Sequence, residues 1–236
     1  MRLHRPPNPL VLCYHAIGEV DDDADPQRLV TSPAHMESHV RWLKRRGYRF
    51  VTAGELAADP TPRTQTAVLT YDDGWRDGLT TVMPALKDLG VPATFYVCPG
   101  LWGRQHENVA GDAGRLMTRD DAAALHDGGM ELASHSMTHP DLRRLTEDEL
   151  ETEVQRSRAE IEVITGAPCT TFAYPFGLYG EREMSAVARA GYDLAFGWVP
   201  GPWRRFAAPR FAAPPRHGAL RLALKTIGIR RRVVLG

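Results

Sequence analysis

Short apolar runs alternate along this chain with longer segments whose apolar residues recur every three to four positions, and that alternation restricts the possible folds most. Runs suited to strands occupy residues 10–14, 48–51, 67–71, 93–97, 130–134, 171–173 and 194–197. They are short and rich in β-branched or aromatic residues, as strands covered on both faces are. Helix signals fall between them. Pro33 follows Ser32 at a first-turn position, where its missing N–H does no harm, and opens a pattern reaching residue 46. The pattern over 79–89 stops at Gly90 and that over 181–190 at Gly191. Thr118 with Asp121, and Thr146 with Glu149, have the spacing of capping boxes that open two further helices. Such a β-α-β-α succession implies crossovers and a parallel sheet. Seven strands fit either a doubly wound sheet or a small barrel, and 236 residues at 43% hydrophobic supply one α/β domain.

Charge separates the chain into two parts. The 29 basic and 29 acidic residues cancel, so bulk charge gives no reason to expect a nucleic-acid partner. Nine of the bases lie after Asp193, where no acid occurs, so an acidic body carries a basic tail over 204–236. There Leu220, Ala223, Leu224 and Ile227 recur at helical spacing beside Arg221 and Lys225. The plain expectation is a terminal helix packed on the body. The sharper one is a basic amphipathic segment resting on an anionic membrane. No apolar run approaches the roughly 18 residues of a membrane span, and 10–14 is too short for a secretory core. Cys13, Cys98 and Cys169 sit in strand-like runs without a pairing motif, which suits buried free thiols. A cytoplasmic protein, peripheral to the membrane on the sharper reading, is therefore expected. Residues 99–114 form a long aperiodic joint, a candidate lid or substrate loop.

Polar residues gather where the apolar runs end. Thr70-Tyr71-Asp72-Asp73-Gly74, His135-Ser136-Met137-Thr138-His139, Tyr174-Pro175-Phe176-Gly177 and Tyr14-His15 all follow strand candidates. In parallel α/β architectures those strand ends open onto one face, where ligands bind. Two imidazoles four residues apart lie on one helical face or in a tight turn, and a carboxylate from elsewhere would complete a two-histidine, one-acid cation site with an open position. The same spacing also suits a solvated loop. Adjacent carboxylates point to opposite faces of a continuing strand, so both enter one site only where the strand stops. Gly74 permits that break. One acid would then hold the cation while the other works as a base.

The first two of these segments resemble the first two signature motifs of the polysaccharide deacetylases, the NodB-homology group of carbohydrate esterase family 4. Ala173-Tyr174-Pro175-Phe176-Gly177 resembles a variant of the third motif, and Pro92-Ala93-Thr94-Phe95-Tyr96-Val97 is similar to the third strand of that family. The resemblance runs over about residues 9–200. It implies a distorted (β/α)7 barrel, placed here at 1–203, and a divalent metal, zinc before others. It implies Asp73, His135 and His139 as ligands and Asp72 as general base. The implied reaction is hydrolysis of an N-acetyl group on an amino sugar, with the backbone N–H of Phe176 facing the oxyanion. The partner is then an N-acetylated carbohydrate, touched by Trp75, Pro175 and Tyr179, while Trp102 and Trp198 read as packing.

Two departures from the family pattern matter. Ala173 stands where the family has an arginine that supports the base, and Arg210 is a candidate replacement. The usual C-terminal Leu-x-His is missing, and His217 in Pro-Pro-Arg-His-Gly does not match it. The branch resembling poly-β-1,6-N-acetylglucosamine deacetylases has an N-terminal Tyr-His instead. Tyr14-His15 resembles it, which makes His15 the expected general acid. His4, His35, His39, His106 and His126 match nothing and read as surface. A non-catalytic glycan-binding module and a hydrolase of a non-sugar amide or imide remain as alternatives.

Overall fold

The computed structural model describes residues 9–59, 65–198 and 202–223. In chain order the strands are β1 (Leu10–Tyr14), β2 (Ala16–Ile17), β3 (Val30–Thr31), β4 (Arg49–Phe50), β5 (Thr66–Tyr71), β6 (Thr94–Val97), β7 (Glu131–Ser134), β8 (Thr171–Ala173), β9 (Leu194–Gly197), β10 (Ala208–Pro209) and β11 (Phe211–Ala212). The helices are α1 (Pro33–Arg45), α2 (Ala53–Ala58), α3 (Met83–Leu89), α4 (Arg119–Asp127), α5 (Glu147–Thr165) and α6 (Glu181–Arg189). The main sheet is parallel and runs β10-β9-β8-β7-β6-β5-β1-β11. Its two edges belong to one stretch of chain. Ala208 and Pro209 pair with Phe196 and Gly197, whereas Phe211 and Ala212 pair with Leu12 and Cys13. The sheet therefore meets itself across Arg210, and the fold is the distorted (β/α)7 barrel in a single domain.

Two sequence expectations change here. The run at 48–51 shrinks to β4, which pairs beside the start of β5 and lies off the ring. The seventh stave is 208–212, which the sequence reading assigned to the tail beyond 203. A proline and an arginine inside so short a strand erase the apolar run that would have announced it. Beyond it, residues 219–223 form a helical turn with Leu222 buried and Leu220 77% exposed, so the inward residue is not the one expected. Residues 224–236, with Leu224, Lys225 and Ile227, lie outside the described residues, as do 1–8. No described helix is long and apolar enough to cross a membrane.

Strand alternation decides what fills the barrel. Val11, Val68, Tyr96, Ala133, Ala173, Phe196 and Ala208 share one parity and form a single buried cluster. The opposite parity, including Leu12, Leu69, Phe95 and Phe172, packs outward on Met36, Leu86, Leu125 and Val154 of the helices. Continued toward the carboxyl ends, the inward parity carries Cys13, Thr70, Asp72, Cys98, His135 and Arg210. The ends of the helices follow local rules. Ser32 accepts from the N–H of His35, both expected capping boxes form, and Gly90 closes α3 with φ 62°. α3 begins later than expected because a wide turn over 78–82 precedes Pro84.

α2 plugs the amino end of the barrel. Its own capping box uses Thr52 and Glu55, and Ala53 and Leu56 join the inner cluster. The Glu131 carboxylate accepts from the N–H of Gly54 at 2.9 Å and from the Thr94 hydroxyl, whose oxygen in turn accepts from the N–H of Ala53 at 2.8 Å. Burial pushes Glu131 up to about 7, against those hydrogen bonds. An acid whose folded value is raised loses stability as pH climbs from its unfolded to its folded value. Glu131→Gln is therefore expected to match the wild type below about pH 4.5 and to gain on it up to pH 7, by on the order of 2 kcal/mol. Urea denaturation across that range reads the difference; a gap that shrinks with rising pH would contradict it.

Candidate active site

The site is assembled from strand ends that stop in strained turns. Asp72 still bonds through its N–H to the carbonyl of Tyr14 at 3.0 Å, as a strand residue would. Asp73 then turns left-handed at φ 69°, followed by Gly74 at 77°. The break thus falls on Asp73 itself, one residue before the expected glycine, and it brings both carboxylates to one side. The histidine pair sits in a tight turn, not on a helix, with Ser136 at φ 67° and His139 at φ 59°. Phe176 has φ 57°. Among the described residues six non-glycines have positive φ, and four of them are these site residues. Strain of about 1–3 kcal/mol each is retained only where surroundings enforce it. Glu153 of α5 is one enforcer, accepting from the N–H groups of Met137 and Thr138 at 2.8 Å each and from the Thr138 hydroxyl. Trp198 is another: a side chain on Gly177, itself at φ 64°, would meet its Cδ1 at 1.7 Å.

Three candidate ligand atoms face one another at the centre. The Nδ1 of His135 donates to the carbonyl of Ala173 at 2.7 Å, which leaves the Nε2 lone pair pointing inward. Burial pushes His135 down to about 4, against the pull of Asp72. Its Nε2 lies 3.5 Å from Asp73 Oδ1, and His139 Nε2 lies 3.4 Å from the same oxygen. Asp73 Oδ1 is buried without a hydrogen-bond partner. An orphaned carboxylate oxygen between two imidazoles is the arrangement a divalent cation resolves, and all three ligand atoms lie within 4.8 Å of one another. The residues expected from sequence therefore fit a cation together.

Asp72 is held differently. Arg210, fully buried, donates from its two terminal nitrogens to Oδ1 at 2.6 Å and Oδ2 at 2.7 Å. Burial alone would raise the Asp72 carboxyl; the Arg210 guanidinium, with help from His135, more than offsets that and holds it well below the ordinary range. This is the arginine that position 173 lacks, delivered by the closing stave. Cys13 donates its thiol to Asp72 Oδ2 at 3.4 Å, and burial pushes that thiol up. Cys13, His15 and Asp72 also bring ligand atoms within 4.8 Å, but the guanidinium already occupies both carboxylate oxygens and the sulfur keeps its proton, so this trio fits a cation less well.

The remaining expected residues divide. His15 is half-buried beside Asp72, its ring stacked near Trp198 at 6.3 Å. His217 is exposed; its carbonyl accepts from His39 Nε2 and its N–H donates to the Pro214 carbonyl. Pro175 is buried, while the Phe176 ring is 54% exposed and lies edge-on to His139 at 4.6 Å. Tyr179 stacks on Tyr174 at 4.8 Å. Trp75 cannot serve as the sugar platform expected of it: it is 2% exposed, covered by His106 at 4.3 Å, and donates its indole N–H to Asp73 Oδ2 at 3.2 Å. Two histidines read as surface are not. His39 is buried against the Tyr14 hydroxyl, and His106 reaches within 3.7 Å of Asp73 Oδ2. All three cysteines are buried and free, as expected.

A parallel barrel whose carboxyl face gathers a two-histidine, one-carboxylate set beside an arginine-held second carboxylate defines the class: a hydrolase built around a candidate cation site. The family comparison agrees. A model of the polysaccharide deacetylase family matches residues 59–195, and the chain belongs to that family, whose deacetylases act on carbon–nitrogen amide bonds of N-acetylated sugars. Over 205 residues it is 25% identical to the putative polysaccharide deacetylase YxkH of Bacillus subtilis, covering 85% of this chain and 68% of that one. It is 31% identical over 154 residues to a chitooligosaccharide deacetylase of Bradyrhizobium, covering 64% of each. The deacetylase PplD of Streptococcus pyogenes shares its fold with a TM-score of 0.78 at 24% identity, over 94% of this chain and 98% of PplD.

Arg210→Met is expected to leave a buried carboxylate without its partner and to lower stability at neutral pH by about 3–5 kcal/mol. A depressed carboxyl contributes stability above its unfolded value and loses it as pH falls through its folded value. In the variant Asp72 takes up its proton at higher pH, so the gap from wild type narrows on acidification. Denaturation at pH 7 and pH 4 checks this; a constant gap would contradict it.

Proposed function

We propose that this chain removes N-acetyl groups from an amino-sugar oligosaccharide or glycan, releasing acetate, with a divalent cation, zinc before others, held by Asp73, His135 and His139. The observation that carries this reading is the buried, unpartnered Oδ1 of Asp73 between two imidazole Nε2 atoms, next to a carboxylate fixed by Arg210. A bound cation would polarise the acetamide carbonyl and acidify water at the site. Asp72, kept ionised and oriented by Arg210, accepts the proton of the attacking water. His15, adjoining Asp72 and backed by Trp198, delivers a proton to the departing amine. The turn at Phe176 aims its backbone N–H at the developing oxyanion, while the exposed ring offers a face to a sugar. Water adds to the amide carbon, the C–N bond breaks, and the products are a free amine and acetate. Acetate is the ligand named for the PplD structure, and the Bradyrhizobium relative is named for chitooligosaccharides, which suits this substrate class.

Acetate release from N-acetylated chitooligosaccharides by the zinc-loaded protein tests the reading. Asp72→Asn is expected to lower turnover about 10²–10⁴-fold with metal content unchanged, and His15→Ala to do likewise. His139→Ala is expected to lose the metal itself. Metal content retained in His139→Ala, or ring-opening of a cyclic imide with no acetate released by the wild type, would overturn it.

A further inference from the structure

Asp73 shows its two oxygens to two different sets of partners. Oδ1 faces His135 and His139; Oδ2 accepts from the indole N–H of Trp75 at 3.2 Å and has His106 Nε2 at 3.7 Å. His106 belongs to a small hairpin, and Trp75, just past the end of β5, pairs against it at Leu116. Residues 104–106 and 114–116 pair through His106 N–H to the Gly114 carbonyl at 2.8 Å and Leu116 N–H to the Arg104 carbonyl at 2.9 Å. The Gln105 amide staples the tip, donating to the carbonyls of Val109 and Gly111. The hairpin is clipped to the strand end that carries the acids: Arg76 N–H bonds to the Arg115 carbonyl at 2.9 Å, and Met117 N–H to that of Gly74 at 2.8 Å. The long joint expected as a candidate lid or substrate loop at 99–114 thus contributes to a built hairpin docked beside Asp73.

His106 has a defined orientation within it. Its Nδ1 accepts from the N–H of Asn108 at 3.2 Å, so in this tautomer the proton sits on Nε2, the atom directed at Asp73. At 3.7 Å that contact is longer than a hydrogen bond. The ring also lies against Trp75 at 4.3 Å, backing the indole that does donate. With Oδ2 engaged on this side, Asp73 has one oxygen left for a cation.

We propose that Trp75 and His106 are positioning residues that hold Asp73 as a one-oxygen ligand, and that His106 thereby couples docking of the 104–116 hairpin to cation binding. This rests on the cation-site reading above. Coupling of this kind is reciprocal: if the hairpin helps bind the cation, the cation must help hold the hairpin. Outer partners of a metal ligand commonly contribute about 10–100-fold in affinity.

The test uses the full chain freed of metal by chelation and titrated with Zn2+ in a calorimeter, with no substrate present. Trp75→Phe keeps the ring and loses the donor; His106→Ala loses both contacts; His106→Gln keeps an N–H donor. Zinc affinity is expected to fall about tenfold or more in Trp75→Phe and His106→Ala, and to recover most of that in His106→Gln. Trypsin supplies the second readout, because Arg104 and Arg115 are exposed and bracket His106. Zn2+ is expected to slow cleavage at both sites in the wild type and to leave it unchanged in His106→Ala. Wild-type affinity in both Trp75→Phe and His106→Ala, or hairpin cleavage indifferent to zinc in the wild type, overturns the coupling while the cation site stands. A wild type that binds no zinc overturns the cation site first, and the coupling with it.

Discussion

A guanidinium sealed inside the barrel grips a carboxylate through two hydrogen bonds, and the architecture of the site depends on that grip. Arg210 lies at the residue where the two sheet edges become one stretch of chain, with β10 paired to β9 before it and β11 paired to β1 after it. Its side chain runs inward to Asp72 and also meets the Thr70 hydroxyl at 3.3 Å. Closure of the ring and orientation of the Asp72 carboxylate are one structural event. Taking two charges out of water is costly, and the two parallel charge-assisted hydrogen bonds of the fork offset much of the penalty, although the Nε of Arg210 is buried without a partner. The pair serves position more than net stability: it keeps Asp72 ionised and fixed beside Asp73 and the two imidazoles.

The second constraint is the convergence of acceptors around Asp73 Oδ1. Two imidazole Nε2 atoms crowd a buried carboxylate oxygen that has no hydrogen-bond partner, and the left-handed turns at Asp73, Ser136 and His139 add backbone strain. Hydrogen bonds to Glu153 hold the histidine turn, and Trp198 packs over Gly177 beside the turn at Phe176. A site that is electrostatically incomplete by itself and strained in its loops is one shaped for what it binds. The outer partners of Asp73 extend the same logic to the hairpin at 104–116, which meets the carboxylate on the side away from the imidazoles.

Much of this was legible before the fold was known, and the misses have identifiable causes. β1, β8 and β9 fall where their apolar runs lie, and the capping boxes at Thr118 and Thr146 open α4 and α5 as spacing predicts. The closing stave was missed because Pro209 and Arg210 interrupt it and its partners lie far away in sequence. Trp75 was misassigned because nearness to a motif cannot tell a ring that faces solvent from one that faces a carboxylate. His39 and His106 carried no local signal, since their polar partners, a tyrosine hydroxyl and an aspartate oxygen, come from other segments.

The amino-acid sequence by itself determined the alternation of strands and helices from β1 to β9, the capping of α4 and α5, and the pairing of acid with acid and imidazole with imidazole at strand ends. These follow from contacts between near neighbours and from the two-residue repeat of a strand. Tertiary structure alone decided that Arg210, 138 residues from Asp72, would orient that carboxylate, that Glu153 would hold the histidine turn, and that His106 would arrive behind Trp75. Each of those is a contact between distant segments, and only the register and closure of the sheet bring such segments within reach of a hydrogen bond.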